Sequence, residues 1–165
     1  MSRIVNNQIP TKIRVSLGSA ILLNLTSGKI AAKPTTIYLL TYWTGKCSAN
    51  CRFCSQARLS TSSARLLSRV IWPVYPTRQV ITHLKNVQTN LIQRICIQTI
   101  NYPHVFRELL ALLNQIHNEG IRFPISISSQ PLTSNQLITL QQAGVDRISI
   151  PLDASTPRLF NEIKG

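Results

Sequence analysis

Short apolar runs alternate with longer amphipathic segments along most of the chain. Four runs predict strands, at residues 35–42, 94–100, 122–128 and 145–152. The first run is rich in β-branched and aromatic residues and is apolar on both sides, which is typical of a buried parallel strand.

Helical periodicity marks the segments between these runs. The clearest helix begins near His104 and carries an apolar stripe that ends at Gly120. The stripe consists of Phe106, Leu109, Leu110, Leu113 and Ile116. Weaker patterns predict helices within residues 13–25, 63–72 and 77–85.

Two later helices have start signals. Thr133 and Gln136 have the spacing of a capping box, and Gly144 is the predicted end of that helix. Pro157 favours the first position of a final helix. Strands that alternate with helices in this way predict an α/β fold with a parallel sheet and right-handed crossovers.

Charge and composition narrow the possible partners. The chain has 165 residues, enough for one domain with a core, and a net charge of +13 with no acidic residue before Glu108. This charge favours an anionic partner, such as an acidic protein or nucleic acid. The cations are scattered singly and aromatic residues make up only 6% of the chain, which disfavours a surface that stacks RNA bases.

The apolar runs also bear on location. None is long enough to cross a membrane, so no membrane partner is expected, and no secretory signal is recognisable. Three of the four cysteines lie in one loop, which favours a reducing compartment. The sequence therefore predicts a cytoplasmic protein.

Cys47, Cys51 and Cys54 form a C-x3-C-x2-C motif where the first strand ends. Three thiolates within eight residues suit one iron–sulfur cluster and leave one iron of a cubane without a protein ligand. A zinc site normally has four ligands in separated pairs, and a disulfide needs an oxidising compartment. Buried structural thiols are the third alternative.

The motif, with aromatic Phe53 before its last cysteine, resembles the signature of radical S-adenosylmethionine (SAM) enzymes. The runs at 55–58 and 150–155 resemble the biotin synthase and lipoyl synthase branch. Three further runs, at 14–18, 33–38 and 66–70, are most similar to subunits of the archaeal-type, two-protein lipoyl synthases.

This resemblance implies a partial radical-SAM (β/α) barrel of about four parallel strand–helix units. The barrel domain would cover residues 35–165, preceded by an N-terminal extension at residues 1–34 with a short helix. The chain contains fewer units than the family barrel, so it resembles a truncated barrel whose fourth strand is an exposed edge, or one that another chain completes.

The resemblance also assigns site residues. Cys47, Cys51 and Cys54 would hold a 4Fe–4S cluster, whose free iron would bind SAM. Phe53 would lie near the adenine, and Asp153 would bind the ribose hydroxyls. The alternatives are a core aromatic residue for Phe53, and for Asp153 a cap or a partner for the dipole of the last helix.

The second strand lacks the Gly-Gly-Glu motif that many family members use to bind the methionyl amine. Thr99 and Asn101 would substitute for it, with Ser128 on the third strand. Cys96 resembles a ligand of the second, 2Fe–2S cluster of biotin synthases. The next ligand would fall near Pro124, where there is no cysteine, so a buried strand thiol is the alternative.

The expected function is that of a radical SAM enzyme inserting sulfur into a protein-bound octanoyl chain. Expected partners are a second lipoyl synthase-type subunit, an acidic lipoyl carrier domain and a reducing electron donor. The alternatives are biotin synthase-like sulfur insertion, a non-catalytic cluster-binding subunit, and a radical enzyme acting on RNA.

Overall fold

The structure, a computed structural model, describes residues 9–87 and 91–164. Residues 1–8 of the predicted N-terminal extension lie outside the described residues, as do residues 88–90 and the final Gly165. No helix in this part of the chain is both long and apolar enough to cross a membrane.

Six of the eight described strands form one sheet, in the order β5-β1-β2-β6-β7-β8. The strands are β1 (Lys12–Val15), β2 (Thr36–Thr41), β3 (Leu66–Leu67), β4 (Val70–Ile71), β5 (Val74–Pro76), β6 (Arg94–Gln98), β7 (Ile125–Ser128) and β8 (Val145–Ser149). β2, β6, β7 and β8 are parallel neighbours, which confirms the four predicted parallel strands.

The described helices each lie in or close to a segment predicted to be helical. They are α1 (Leu17–Leu22), α2 (Thr77–Asn86), α3 (Val105–Asn118), α4 (Ser134–Gln142) and α5 (Pro157–Lys164). The capping box of α4 is confirmed, because the Gln136 amide donates to Thr133 Oγ1 and the Thr133 amide donates to Gln136 Oε1. Gly120, just after α3, has a φ of 75°, which glycine adopts without steric cost.

One face of the sheet packs against helices to form the main core, whose buried residues are all aliphatic. Alternate residues of β2, β6 and β7 are fully buried there, as expected from the two-residue period of a strand. Leu84 of α2, Leu113 of α3 and Leu140 of α4 pack against them. This core fixes the strands whose carboxyl ends carry the predicted site.

The predicted helix at residues 13–25 is wrong for its first residues. Lys12–Val15 form β1, which pairs antiparallel with β2 and β5. Ile13 and Val15 point into the main core while Arg14 points to the other face, so a period of two buries both apolar side chains. The division at residue 34 stays a prediction, although β1 joins the sheet that later strands form.

The predicted helix at residues 63–72 is also wrong. β3 and β4 pair antiparallel as a short hairpin, with Leu66 opposite Ile71 and Leu67 opposite Val70. Ser68 in the turn has a φ of 56°, which a right-handed helix excludes.

The other face of the sheet is more polar. Tyr38, Cys96, Ser126 and Arg147 occupy one row across β2, β6, β7 and β8. Tyr38 and Arg147 are exposed, and β8 forms one edge of the sheet. Among the described residues, the fourth parallel strand therefore lies at the edge of the sheet.

Candidate metal centre

The segment at residues 43–57, here called the cysteine loop, follows directly after β2. Because parallel strands end at the same edge of a sheet, the loop lies beside the residues that follow β6 and β7. The amide of Ser48 donates to the carbonyl of Asn101, 2.7 Å away, which attaches the loop to the end of β6.

Cys47 is the best anchored of the three thiols. It is buried, its amide donates to the carbonyl of Gln56 at 2.8 Å, and its Sγ accepts a hydrogen bond from the Asn101 amide at 3.1 Å. Hydrogen bonds from backbone amides are among the features that tune thiolates bound to iron–sulfur clusters.

Cys51 and Cys54 are partly exposed and belong to one turn, in which the Cys54 amide donates to the Cys51 carbonyl at 3.0 Å. Burial raises the pKa of the Cys51 thiol, the nearby Lys164 ammonium opposes that change, and the thiols of Cys54 and Cys47 add to it. The thiols of Cys47 and Cys54 therefore lie close enough to Cys51 to affect it electrostatically.

The arrangement does not fit a single metal ion. All four cysteines are free thiols, and no three His, Cys, Asp or Glu side chains in residues 9–87 and 91–164 are placed to hold one ion. A cubane cluster takes one thiolate per iron, so its ligands surround a larger body and need not converge on a point. The three-thiol donor set therefore fits a cluster better than it fits zinc.

A second set of buried residues, here called the aromatic core, includes Cys47 and packs against the cysteine loop. It consists of Leu40, Cys47, Trp72, Ile100 and Tyr102. Trp43 stacks on Tyr102 with ring centroids 5.0 Å apart, and Tyr102 Oη donates to Glu108 Oε2 at 2.8 Å. Burial, followed by the neighbouring Glu108 carboxylate, raises the pKa of Tyr102 above its usual value.

Two polar side chains that sequence reasoning missed hold the far side of the loop. Gln56 is fully buried, and its Nε2 donates to the carbonyls of Ala64 and Leu66 at 2.7 and 2.6 Å. Lys46 Nζ donates to the carbonyls of Ser55 and Ser62. The position of both residues close to the cysteines was the only sequence signal for this role. Their hydrogen-bond partners lie 8 to 16 residues further along the chain, so the sequence alone does not identify them.

Phe53 and Asp153 both contact Lys164, a residue that the sequence analysis did not single out. Phe53 is 62% exposed, so the alternative of a core aromatic residue is wrong. Asp153 Oδ2 lies 2.6 Å from Lys164 Nζ, and that ammonium lies 5.9 Å from the Phe53 ring centroid. The alternative role of Asp153 as a helix cap is also wrong, because Thr156 Oγ1 accepts from the Leu159 amide in α5.

Thr99, Asn101 and Ser128 lie together at the ends of β6 and β7. The Thr99 amide and Oγ1 both donate to the Ser128 carbonyl, at 2.9 and 3.2 Å. Thr99 and Asn101 line a cavity of about 140 Å³, and a second cavity of about 250 Å³ lies against Cys51. Gln130 lines both cavities.

Cys96 lies apart from the motif, between Tyr38 of β2 and Ser126 of β7 in the sheet register. It is only partly buried, so the alternative of a buried thiol describes it poorly. The residue beside it on β7 is a serine, in keeping with the absence of a second cysteine ligand there.

Comparison with known proteins gives two matches. Residues 41–165 match the model of the radical SAM superfamily. The biotin synthase of Desulforudis audaxviator (strain MP104C) is 26% identical over 105 residues. That alignment covers 62% of this chain and 30% of the biotin synthase, so the chain spans well under half the length of this relative.

Superfamily membership implies SAM and an iron–sulfur cluster in general, and the weak biotin synthase similarity agrees with it. The matched region begins at Thr41 and contains all three cysteines of the motif together with β6, β7 and β8. This chain belongs to the radical SAM superfamily.

Proposed function

We propose that Cys47, Cys51 and Cys54 hold a 4Fe–4S cluster and that the chain takes part in sulfur insertion of the lipoyl synthase type. The observation that carries this proposal is the cysteine loop itself: three free thiols at the end of β2, with Cys47 fixed by two hydrogen bonds. When bound, the cluster and SAM would supply a 5′-deoxyadenosyl radical that removes hydrogen from an unactivated carbon.

The chain's own residues would bind and orient SAM. Thr99 and Asn101 offer a hydroxyl and an amide at the wall of one cavity, with Ser128 beside them, and would hold the methionyl end. Asp153 is a carboxylate able to accept hydrogen bonds from ribose hydroxyls. Phe53, exposed beside Cys54, would contact the adenine.

Biotin synthase-like sulfur insertion is the second candidate, and the similarity to the Desulforudis audaxviator protein favours it. Cys96 would then serve as one ligand of a sulfur-donating cluster. The serine beside it on β7 weighs against that role, because a hydroxyl is a poor ligand for such a cluster.

A partner surface is proposed beside the loop. Arg58, Arg65 and Arg69 are exposed, and no ion pair between described side chains includes them. Leu59 is 72% exposed next to Arg58, and Val70 is 44% exposed next to Arg69. Cations around apolar side chains suit an acidic protein such as a lipoyl carrier domain.

Anaerobic reconstitution tests the core of the proposal. We expect the wild-type chain, loaded with iron and sulfide and then reduced with SAM, to yield 5′-deoxyadenosine. Cys51→Ala should lose the product and most of the iron, whereas Cys96→Ala is the matched control and should keep both. A chain that binds the cluster but forms no nucleoside would instead be a non-catalytic subunit.

The substrate is tested in the same preparation. Octanoylated carrier domain, added with a candidate second subunit and an electron donor, should be converted to a sulfur-containing product. Turnover of a free small molecule instead would favour biotin synthase-like chemistry.

A further inference from the structure

Lys164, the last residue of α5, has a side chain that is almost entirely removed from solvent. Its side chain is only 8% exposed. Nζ donates to Asp153 Oδ2 at 2.6 Å and to the carbonyl of Pro151 at 3.0 Å. An ammonium has three N–H donors, so these contacts use two of them.

The remaining side of the ammonium faces aromatic rings. Nζ lies 5.9 Å from the centroid of Phe53 and 6.0 Å from that of Phe160, both within the range of a cation–π interaction. One side chain thus contacts the turn after β8, the helix α5 and the cysteine loop.

Backbone contacts place α5 against the loop as well. The Arg52 amide donates to the carbonyl of Ile163 at 2.9 Å, and Arg52 also pairs with Glu162. The Arg52–Glu162 pair is exposed on both sides, so it adds little stability. The Arg52–Ile163 hydrogen bond and the cation–π contact of Lys164 with Phe53 therefore join α5 to the loop, while the hydrogen bonds of Lys164 join it to the turn after β8.

This attachment also shapes the space beside the thiols. Lys164, Asn161 and Phe160 of α5 form one wall of the cavity of about 250 Å³ that Cys51 and Ala49 close on the other side. A loosened α5 would widen that cavity.

We propose that Lys164 is a positioning residue that ties the turn carrying Asp153 to the cysteine loop and places a positive charge beside the thiols. The first role, here called the tie, is the attachment of the Asp153 turn to the cysteine loop and concerns the chain alone. The second role, the effect of the charge on the cluster, rests on the proposed function. A cation near an iron–sulfur cluster stabilises the reduced form, which carries one more electron, and so raises the reduction potential.

Hydrogen exchange in the chain without a cluster tests the tie. The Arg52 amide should exchange roughly tenfold faster or more in Lys164→Met than in the wild type, because its acceptor lies in α5. The Ser48 amide, bonded to Asn101 on the other side of the loop, should be unchanged. Lys164→Arg should restore protection, and Lys85→Met, which breaks an exposed pair with Glu119, is the matched control.

Redox titration of the reconstituted cluster tests the charge. Lys164→Met leaves Asp153 unpaired and should lower the potential, by about 59 mV if the one-electron equilibrium shifts tenfold. The double variant Asp153→Asn with Lys164→Met removes the pair without changing the net charge. It should therefore recover most of the potential while the Arg52 amide still exchanges fast.

Each result decides one half of the proposal. Unchanged exchange at Arg52, or equal acceleration at Ser48, would overturn the tie. A potential that is the same in Lys164→Met as in the wild type would overturn the charge effect. A wild-type chain that takes up no iron would overturn the proposed function and the charge effect with it, and the exchange measurement would still decide the tie.

Discussion

The main core and the aromatic core are built from different chemistry. The buried residues of the main core are all aliphatic, and most of them come from regular strands and helices. The aromatic core contains two aromatic residues and a thiol among its five buried residues, and parts of it come from loops. Its contents are joined by single specific contacts, such as the stack of Trp43 on Tyr102.

The difference separates stability from site geometry. Aliphatic burial is non-directional and roughly proportional to area, so the main core supplies most of the free energy of folding. Hydrogen bonds and ring contacts are directional, so the aromatic core can fix where Cys47 lies. Substitutions in the two cores should therefore have different consequences for unfolding and for cluster binding.

The largest loss of stability is expected for Leu113→Ala. Leu113 is fully buried in the main core, and truncation of such a residue costs about 2–5 kcal/mol of unfolding free energy. Urea denaturation measures the loss. Leu137→Ala, on an exposed position of α4, is the matched control and should cost much less.

This prediction also concerns the site. The folded fraction of Leu113→Ala should bind as much iron per chain as the wild type, because the cysteine loop rests on the other core. Reduced iron content in the folded fraction would show that the two cores act as one.

The sequence predicts the main core well because its signals are local. The four parallel strands, α2, α3, α4 and α5 all follow from runs and stripes that each element carries within itself. Some strand boundaries are shorter than predicted. β7 begins at Ile125, after Pro124, and β8 ends at Ser149, before Pro151, since proline cannot donate to a neighbouring strand.

The surroundings of the aromatic core could not be predicted in this way. Leu66, Leu67 and Val70 fit a helical stripe, but they form a hairpin, which Gln56 contacts from outside the segment and Trp72 from its last position. The Trp72 indole donates to the carbonyl of Leu67, and its amide donates to the carbonyl of Arg65. Tertiary contacts of this kind override local propensity.

The candidate site also contains some features that the sequence predicts and others that it does not. The spacing of Cys47, Cys51 and Cys54 is local and marks the loop without any knowledge of the fold. The role of Lys164 depends on the end of α5 returning to Phe53, 111 residues earlier in the chain, and no local pattern contains that information.

An intermediate effect is expected for Gln56→Leu. This change removes two buried hydrogen bonds and leaves the carbonyls of Ala64 and Leu66 without their donor, at a cost of about 1–3 kcal/mol. Iron content after reconstitution should fall more than the stability loss alone explains, because the main chain of Gln56 also holds Cys47. Gln141→Leu, on the exposed side of α4, is the control for both measurements.

A result in which Gln56→Leu loses stability but keeps its full iron content would weaken the comparison. It would show that the other contacts of the loop, such as those of Asn101 and Lys46, keep its geometry.

The smallest effect is expected for Tyr102→Phe, which removes one hydrogen bond to Glu108 at a cost of about 1 kcal/mol. Burial raises the pKa of Tyr102 in the folded chain above the ordinary value of 10.0, so the unfolded chain loses this proton first. The stabilisation by neutral Tyr102 is therefore complete below about pH 10 and is lost as the pH rises from there towards the raised pKa.

The difference in unfolding free energy between the wild type and Tyr102→Phe, measured by urea denaturation, should be constant up to about pH 10 and shrink above it. Tyr38→Phe, which removes an exposed hydroxyl, is the matched control and should show no such change. A wild-type advantage that persists unchanged above pH 10 would mean that the aromatic core admits the ionised phenol, and hence that it is open to water and distinct from the main core in its hydration as well as its chemistry.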